Sequence, residues 1–178
     1  MRETAFHNSN ARTLGSLFKR LRKDRGGVAA IEFVLCAFPF FALFLAIIET
    51  AILFTAGIVL ESGVQGVARQ ILTGQLQSAG DEAPTKEEFK QLVCDRIDYF
   101  LACDKIQVDL KTFDDYSAID LSYDPDGFGY DLGGSEDINV LRVFYEWEWQ
   151  TSMLHALSGD DNGKLTFASV AAFRNEPF

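Results

Sequence analysis

The sequence predicts an α+β fold. One long N-terminal helix is able to cross a membrane, and a small domain follows it with one further helix and an antiparallel sheet of about three or four strands. Three observations carry this prediction. Residues 33–48 hold no charged side chain, and after Glu49 a second uncharged run continues from Thr50 to Leu60. Residues 85–101 place apolar side chains at helical spacing behind a capping pattern. Three later segments, 106–111, 141–149 and 165–173, have the alternation or composition of strands.

A helix from Val28 to Leu60 would be roughly 50 Å long. That exceeds the roughly 30 Å of a bilayer's hydrocarbon, so one span with helix left over is expected. Pro39 removes one backbone hydrogen bond, which membrane helices tolerate. Past the apolar run the helical stripe continues through Leu60, Val64, Val67, Ala68, Ile71 and Leu72. Gly57, Gly63 and Gly66 lie beside it and permit close approach of a neighbouring helix. The helix should end near Thr73, with Gly74 as its C-cap. Residues 1–27 hold seven basic side chains against Glu3 and Asp24, a net of +5, and the rest of the chain carries −15 of the total −10. Basic flanks stay on the cytoplasmic side, which puts the acidic C-terminal part outside. A cleaved secretory signal is the rival. Its apolar core runs about 7–15 residues before a small-residue site; this stretch is longer, and Glu49 stands where the cut would fall.

Glu32 is the anomaly, a carboxylate in the apolar entry of a span. Taken alone, it fits a side chain at headgroup depth. Its setting is more particular: a basic leader, then Gly26-Gly27-Val28-Ala29-Ala30-Ile31-Glu32-Phe33, then the span. This resembles the processing site of type IV pilin-like proteins, in which a membrane-embedded prepilin peptidase cuts after the glycine and a glutamate is fifth in the mature chain. With Pro39 and the later Ile47-Ile48-Glu49, the wording is similar to TadE/TadG-like pseudopilins of tight-adherence (Tad, Flp-type) pilus systems. The resemblance implies a cut between Gly27 and Val28, removing a leader of residues 1–27. Glu32 would then pair with the freed Val28 amine of a neighbouring subunit. An unpaired charge in low dielectric is heavily penalised, so the pairing would select register. The resemblance also implies a pilin-like division: an assembly helix over 28–73, packed on other subunits below and its own head above, and a periplasmic head over 74–178.

Within the head, residues 75–85 read as a polar linker. Thr85 with Glu88 forms a capping box opening a helix whose apolar face is Phe89, Leu92, Val93, Ile97 and Phe100 or Leu101. Cys94 and Cys103 fall in the part that would face an oxidising periplasm, where disulfides persist, and a cysteine pair is part of the resemblance. On one continuous helix they would be roughly 13 Å apart along the axis, so a bridge requires the helix to end and turn back before Cys103. Cys36, in the span, reads as a small packed hydrophobe. Ile106, Val108 and Leu110 alternate with Gln107, Asp109 and Lys111 as a half-buried strand. A short strand near residues 118–123 is expected inside an Asp- and Gly-rich loop. Leu141, Val143, Tyr145, Trp147 and Trp149 share one face of a long strand, with Arg142, Glu146 and Glu148 on the other. A turn at residues 159–163 leads to a last strand at 165–173. The closing Asn175-Glu176-Pro177 also resembles the ending common in TadE-like sequences.

Little else asks for chemistry. Asp124, Asp126 and Asp131 hint at a calcium loop, but with Gly127 at the sixth position Gly133 stands where the closing Glu should be. A solvated turn is the simpler reading, and no metal or cofactor is expected. His155 has no evident nucleophile partner in sequence, Trp147 and Trp149 read as sheet core, and the acidic balance argues against nucleic acid. The expectation is therefore a non-enzymatic minor pseudopilin of the bacterial inner membrane, serving Flp-pilus adhesion and biofilm formation. Its expected partners are the prepilin peptidase, other minor pseudopilins, the Flp pilin and the inner-membrane platform. An uncleaved, signal-anchored periplasmic binding or scaffold domain is the alternative, and a calcium-dependent adhesin a third.

Overall fold

The computed structural model describes residues 25–77, 83–120, 122–151, 154–156 and 164–178. The leader up to residue 24, residues 78–82 of the linker, Leu121 and the turn at 159–163 lie outside the described residues. Contacts divide the chain into two units, Met1–Ile47 and Ile48–Phe178.

Helix α1 spans Arg25–Leu72 and contains Pro39. In the first unit, from Phe33 to Ile47, its side chains are apolar on every side and mostly open, with Phe33 70% and Phe38 77% exposed. A helix hydrophobic all round and unburied by its own chain is built for lipid or for other helices. Within the second unit α1 is two-faced. Ala56, Val59, Leu60, Val64, Val67, Ala68 and Ile71 are buried, whereas Ile52, Phe54 and Ile58 are exposed. The helix ends in a Schellman motif: the Gly74 N–H donates to Ile71 O at 2.9 Å and the Gln75 N–H to Gln70 O at 3.0 Å. The motif needs a left-handed residue, and Gly74 has φ +71°. The C-terminal tail closes over this end. The Glu176 N–H donates to Leu72 O at 2.8 Å, and a Cβ at Gly74 would stand 2.6 Å from Cγ of Phe178.

Helix α2, Lys86–Ile97, opens with the capping box: the Thr85 hydroxyl accepts from the Glu88 N–H while the Glu88 carboxylate accepts from the Thr85 N–H at 2.8 Å. The Thr85 N–H first, and then the Thr85 hydroxyl donating to the same carboxylate at 2.9 Å, hold the Glu88 carboxyl below its ordinary range. Phe89, Val93, Cys94 and Ile97 are buried, and Leu101 rather than Phe100 completes the apolar face. The chain turns back after Ile97 and passes through a 3₁₀ turn, Cys103–Lys105.

Three antiparallel strands, β1 (Ile106–Phe113), β2 (Ile138–Glu148) and β3 (Lys164–Arg174), lie in that order. The register sets Ile106 opposite Tyr145 and Tyr145 opposite Phe167. Val108, Leu110, Leu141, Val143, Tyr145 and Ala171 join α1 and α2 in one core. Trp147 packs against that core, and Trp149 lies beyond the end of β2.

One expectation is corrected. Among the described residues, no strand forms near residues 118–123. The chain makes a 3₁₀ turn at Tyr116–Ala118, and Asp115 and Asp120 each accept from the N–H two residues on, at 2.7 and 2.8 Å. Such local turns compete with ladder pairing. The edge of β1 is instead touched by Tyr130, through a parallel bridge with Leu110. The polar face of the strands is covered at its centre. Phe128 stacks on Phe144 at 5.1 Å, Tyr123 meets the same ring at 4.9 Å, and Asp109 and Arg142 beneath are buried.

Candidate functional site

Gly27, Val28 and Glu32 lie in the first turns of α1, where Val28 and Glu32 are exposed along with their apolar neighbours. The three glycines divide. Gly57 faces open space, with nothing within 4 Å of a Cβ built on it. Gly63 and Gly66 meet the head instead: their Cβ atoms would stand 2.5 Å from Cγ2 of Ile97 and 3.2 Å from Cζ of Arg96. The neighbouring helix at these two positions is therefore α2 of the same chain, and of the three glycines Gly57 alone faces outward. Cys94 and Cys103 are joined as a disulfide with Cα atoms 5.5 Å apart; it ties α2 to the turn that feeds β1.

Glu49 marks where the head takes hold of α1. It is the first buried residue after the span, 5% exposed. Its carboxylate accepts from the Gln150 N–H at 2.5 Å, the Thr151 hydroxyl at 2.6 Å and the Thr151 N–H at 3.4 Å. Three donors compensate the desolvation of one charge. Three turns further on, Glu61 accepts from the Ser169 hydroxyl and from Gln65 Nε2 at 2.8 Å. The sequence shows Glu49 as a break in the apolar run and as part of the Ile47-Ile48-Glu49 wording. Its partners are about a hundred residues away, and no local pattern announces them.

A second polar centre holds the loop over the sheet. Arg142 donates to Asp109 through Nε at 2.8 Å and Nη2 at 2.6 Å, and through Nη1 to the carbonyls of Asp120 (3.1 Å) and Ser122 (2.9 Å). The second Asp109 oxygen accepts from the Gly129 N–H at 2.7 Å. Opposite charges on facing strands were visible in the sequence, but their pairing required the register. On the other side of the loop the Tyr130 hydroxyl donates to Pro84 O at 2.6 Å. Its pKa is pushed up to about 12, by burial first and then by the charge of Glu88.

The tail has its own anchor. Asn175 is buried, its N–H donates to Asp137 O at 2.9 Å, and its side-chain amide donates to Gly134 O at 2.7 Å. Among the described residues, no three His, Cys, Asp or Glu side chains group as metal ligands. His155 is exposed.

These features define a chain with one membrane-length apolar helix whose distal part is built into a small α+β head. The helix Gly27–Leu72 reaches a mean hydropathy of 2.5 in its most apolar stretch, enough to cross a membrane. Residues 27–69 match the family of TadE-like proteins. That stretch runs from the Gly27-Val28 junction through Glu32 and Glu49 to the last turn of α1. No curated protein and no solved structure matches the chain.

Proposed function

We propose that this protein is a minor pseudopilin that initiates or assists Flp-type pilus assembly, after prepilin-peptidase cleavage between Gly27 and Val28. The observation that carries the reading is the apolar surface that α1 leaves open beyond Glu49. A hydrogen-bonded carboxylate belongs at the edge of the hydrocarbon, not within it. Residues 28–48 span roughly 31 Å, which matches the membrane core. Phe54 and Ile58, 73% and 70% exposed, then lie about 7.5 and 13.5 Å further out. Neither lipid nor the head covers them, and neighbouring helices would.

In this reading the leader is cytoplasmic, the head is periplasmic, and the role is structural rather than enzymatic. Glu32 pairs with the new Val28 amine of an adjacent subunit, and Gly57 lets the adjacent helix approach. The head is too large for a major Flp pilin, which favours a minor subunit meeting other minor pseudopilins, the Flp pilin and the inner-membrane platform. An uncleaved scaffold domain would leave the open helix surface and the glycine junction without a use. The test is piliation in a host whose own copy has been deleted. A Glu32→Leu variant, confirmed as processed and membrane-inserted, should fail to restore surface pili, while the unaltered chain restores them. Equal piliation by both would refute the assembly role of Glu32.

A further inference from the structure

Strand β3 ends the sheet, and no described residue pairs with its outer side. From Leu165 to Phe173 it carries no charge and no proline, the usual guards of a free edge. Between this edge and α1 runs an open groove of about 630 Å³, whose walls include Gly66, Arg69, Leu72 and residues 170–173. Arg69 is exposed, and among the described residues its guanidinium has no carboxylate within salt-bridge distance. The opposite edge of the sheet is different. There Tyr130 runs parallel beside Leu110, with Gly129 and Asp131 bonded to the Leu110 backbone at 3.1 and 3.0 Å. Asp131 is exposed.

The two edges match in direction and in height. β1 and β3 are each antiparallel to β2, so residues 129–131 run the same way as β3. Leu110 lies opposite Leu141, which lies opposite Ala171, so Tyr130 is level with Ala171 and Asp131 with Ala172. Arg69 lines the groove beside those alanines. We propose that β3 of one copy receives the outer edge, residues 129–131, of a second copy in parallel, with Arg69 paired to Asp131 of its neighbour. The contacts of Glu61 with Ser169 and of Leu72 with Glu176 show β3 running the same way as the head part of α1. A contact between unlike edges repeats head to tail and builds a row of subunits. The inference rests on the membrane-anchored reading above.

The full chain, with Cys36→Ser, is reconstituted in lipid vesicles and exposed to mild oxidant. An Arg69→Cys plus Asp131→Cys chain should give a ladder of dimers, trimers and higher species. A mixture of the two single variants should give dimers only, and each alone should stay monomeric. Charge reversal supplies the second arm, read by chemical cross-linking. Arg69→Glu or Asp131→Arg alone should lower the oligomer yield about fivefold, and the two together should restore it. Monomers throughout, or Arg69→Cys chains that pair with themselves, would overturn the proposal. Peptidase cleavage of the same samples reports separately on the pseudopilin reading.

Discussion

Replacing Glu49 with alanine should loosen the head's hold on α1. The carboxylate accepts two close bonds, from the Gln150 N–H at 2.5 Å and the Thr151 hydroxyl at 2.6 Å, and a longer one from the Thr151 N–H. Bonds to a charged group contribute about 1.5–3 kcal/mol each. Gln150 is exposed and Thr151 half-buried, so water recovers part of the loss, and the net cost should be about 2 kcal/mol. For a chain of this size that lowers Tm by roughly 4–8 °C. The assay is thermal unfolding of the detergent-solubilised chain, followed by the fluorescence of Trp147 and Trp149, with amide exchange at residues 150–151 as the local readout. Glu49→Gln keeps an acceptor oxygen and should fall between the two. An alanine variant that melts within a degree of the native chain, with unchanged protection at 150–151, would refute the anchoring role.

Three further outcomes are expected. Arg142→Ala leaves the buried Asp109 carboxylate only the more distant Lys111 Nζ, at 3.8 Å, as a counter-charge and should cost about 3 kcal/mol, whereas Arg142→Met with Asp109→Leu should cost clearly less; urea unfolding of all three chains decides it. Reducing the Cys94–Cys103 bridge opens a short loop and should lower stability by roughly 2.5–3 kcal/mol on the chain-entropy model. Differential scanning calorimetry with and without reductant measures that, and an unchanged transition would contradict it. At high pH the half-buried Tyr130 phenol favours the protonated fold. Its folded pKa of about 12 exceeds the ordinary 10, so its contribution is complete below pH 10 and is lost as pH rises toward 12. Tyr130→Phe should remove that part of the alkaline fall, as read from melting curves at stepped pH.

What could be seen in the sequence was local. The span, the Thr85–Glu88 capping box, the Gly74 C-cap and the alternation in 106–111 all depend on residues within a few positions of each other. What could not be seen was set by distant partners. Asp109 and Arg142 sit where alternation predicts a wet face, and only the loop carrying Phe128 and Tyr123 dries it. The β-like composition of residues 118–123 lost to Asx turns at Asp115 and Asp120. Gly63 and Gly66 announced a close helix contact without saying whose, and the answer is α2. The Asn175-Glu176-Pro177 ending was recognisable only as a resemblance. In the structure Asn175 fastens the tail to the turn at 134–137, while the Glu176 amide and the Phe178 ring close the Gly74 helix end.

The most direct test of the whole account is the intact mass of the chain expressed with and without a prepilin peptidase, beside a Gly27→Leu variant. The pseudopilin account predicts a mature product beginning at Val28, formed only when peptidase and native glycine are both present. A chain of full mass under every condition would contradict it and leave an uncleaved anchored domain.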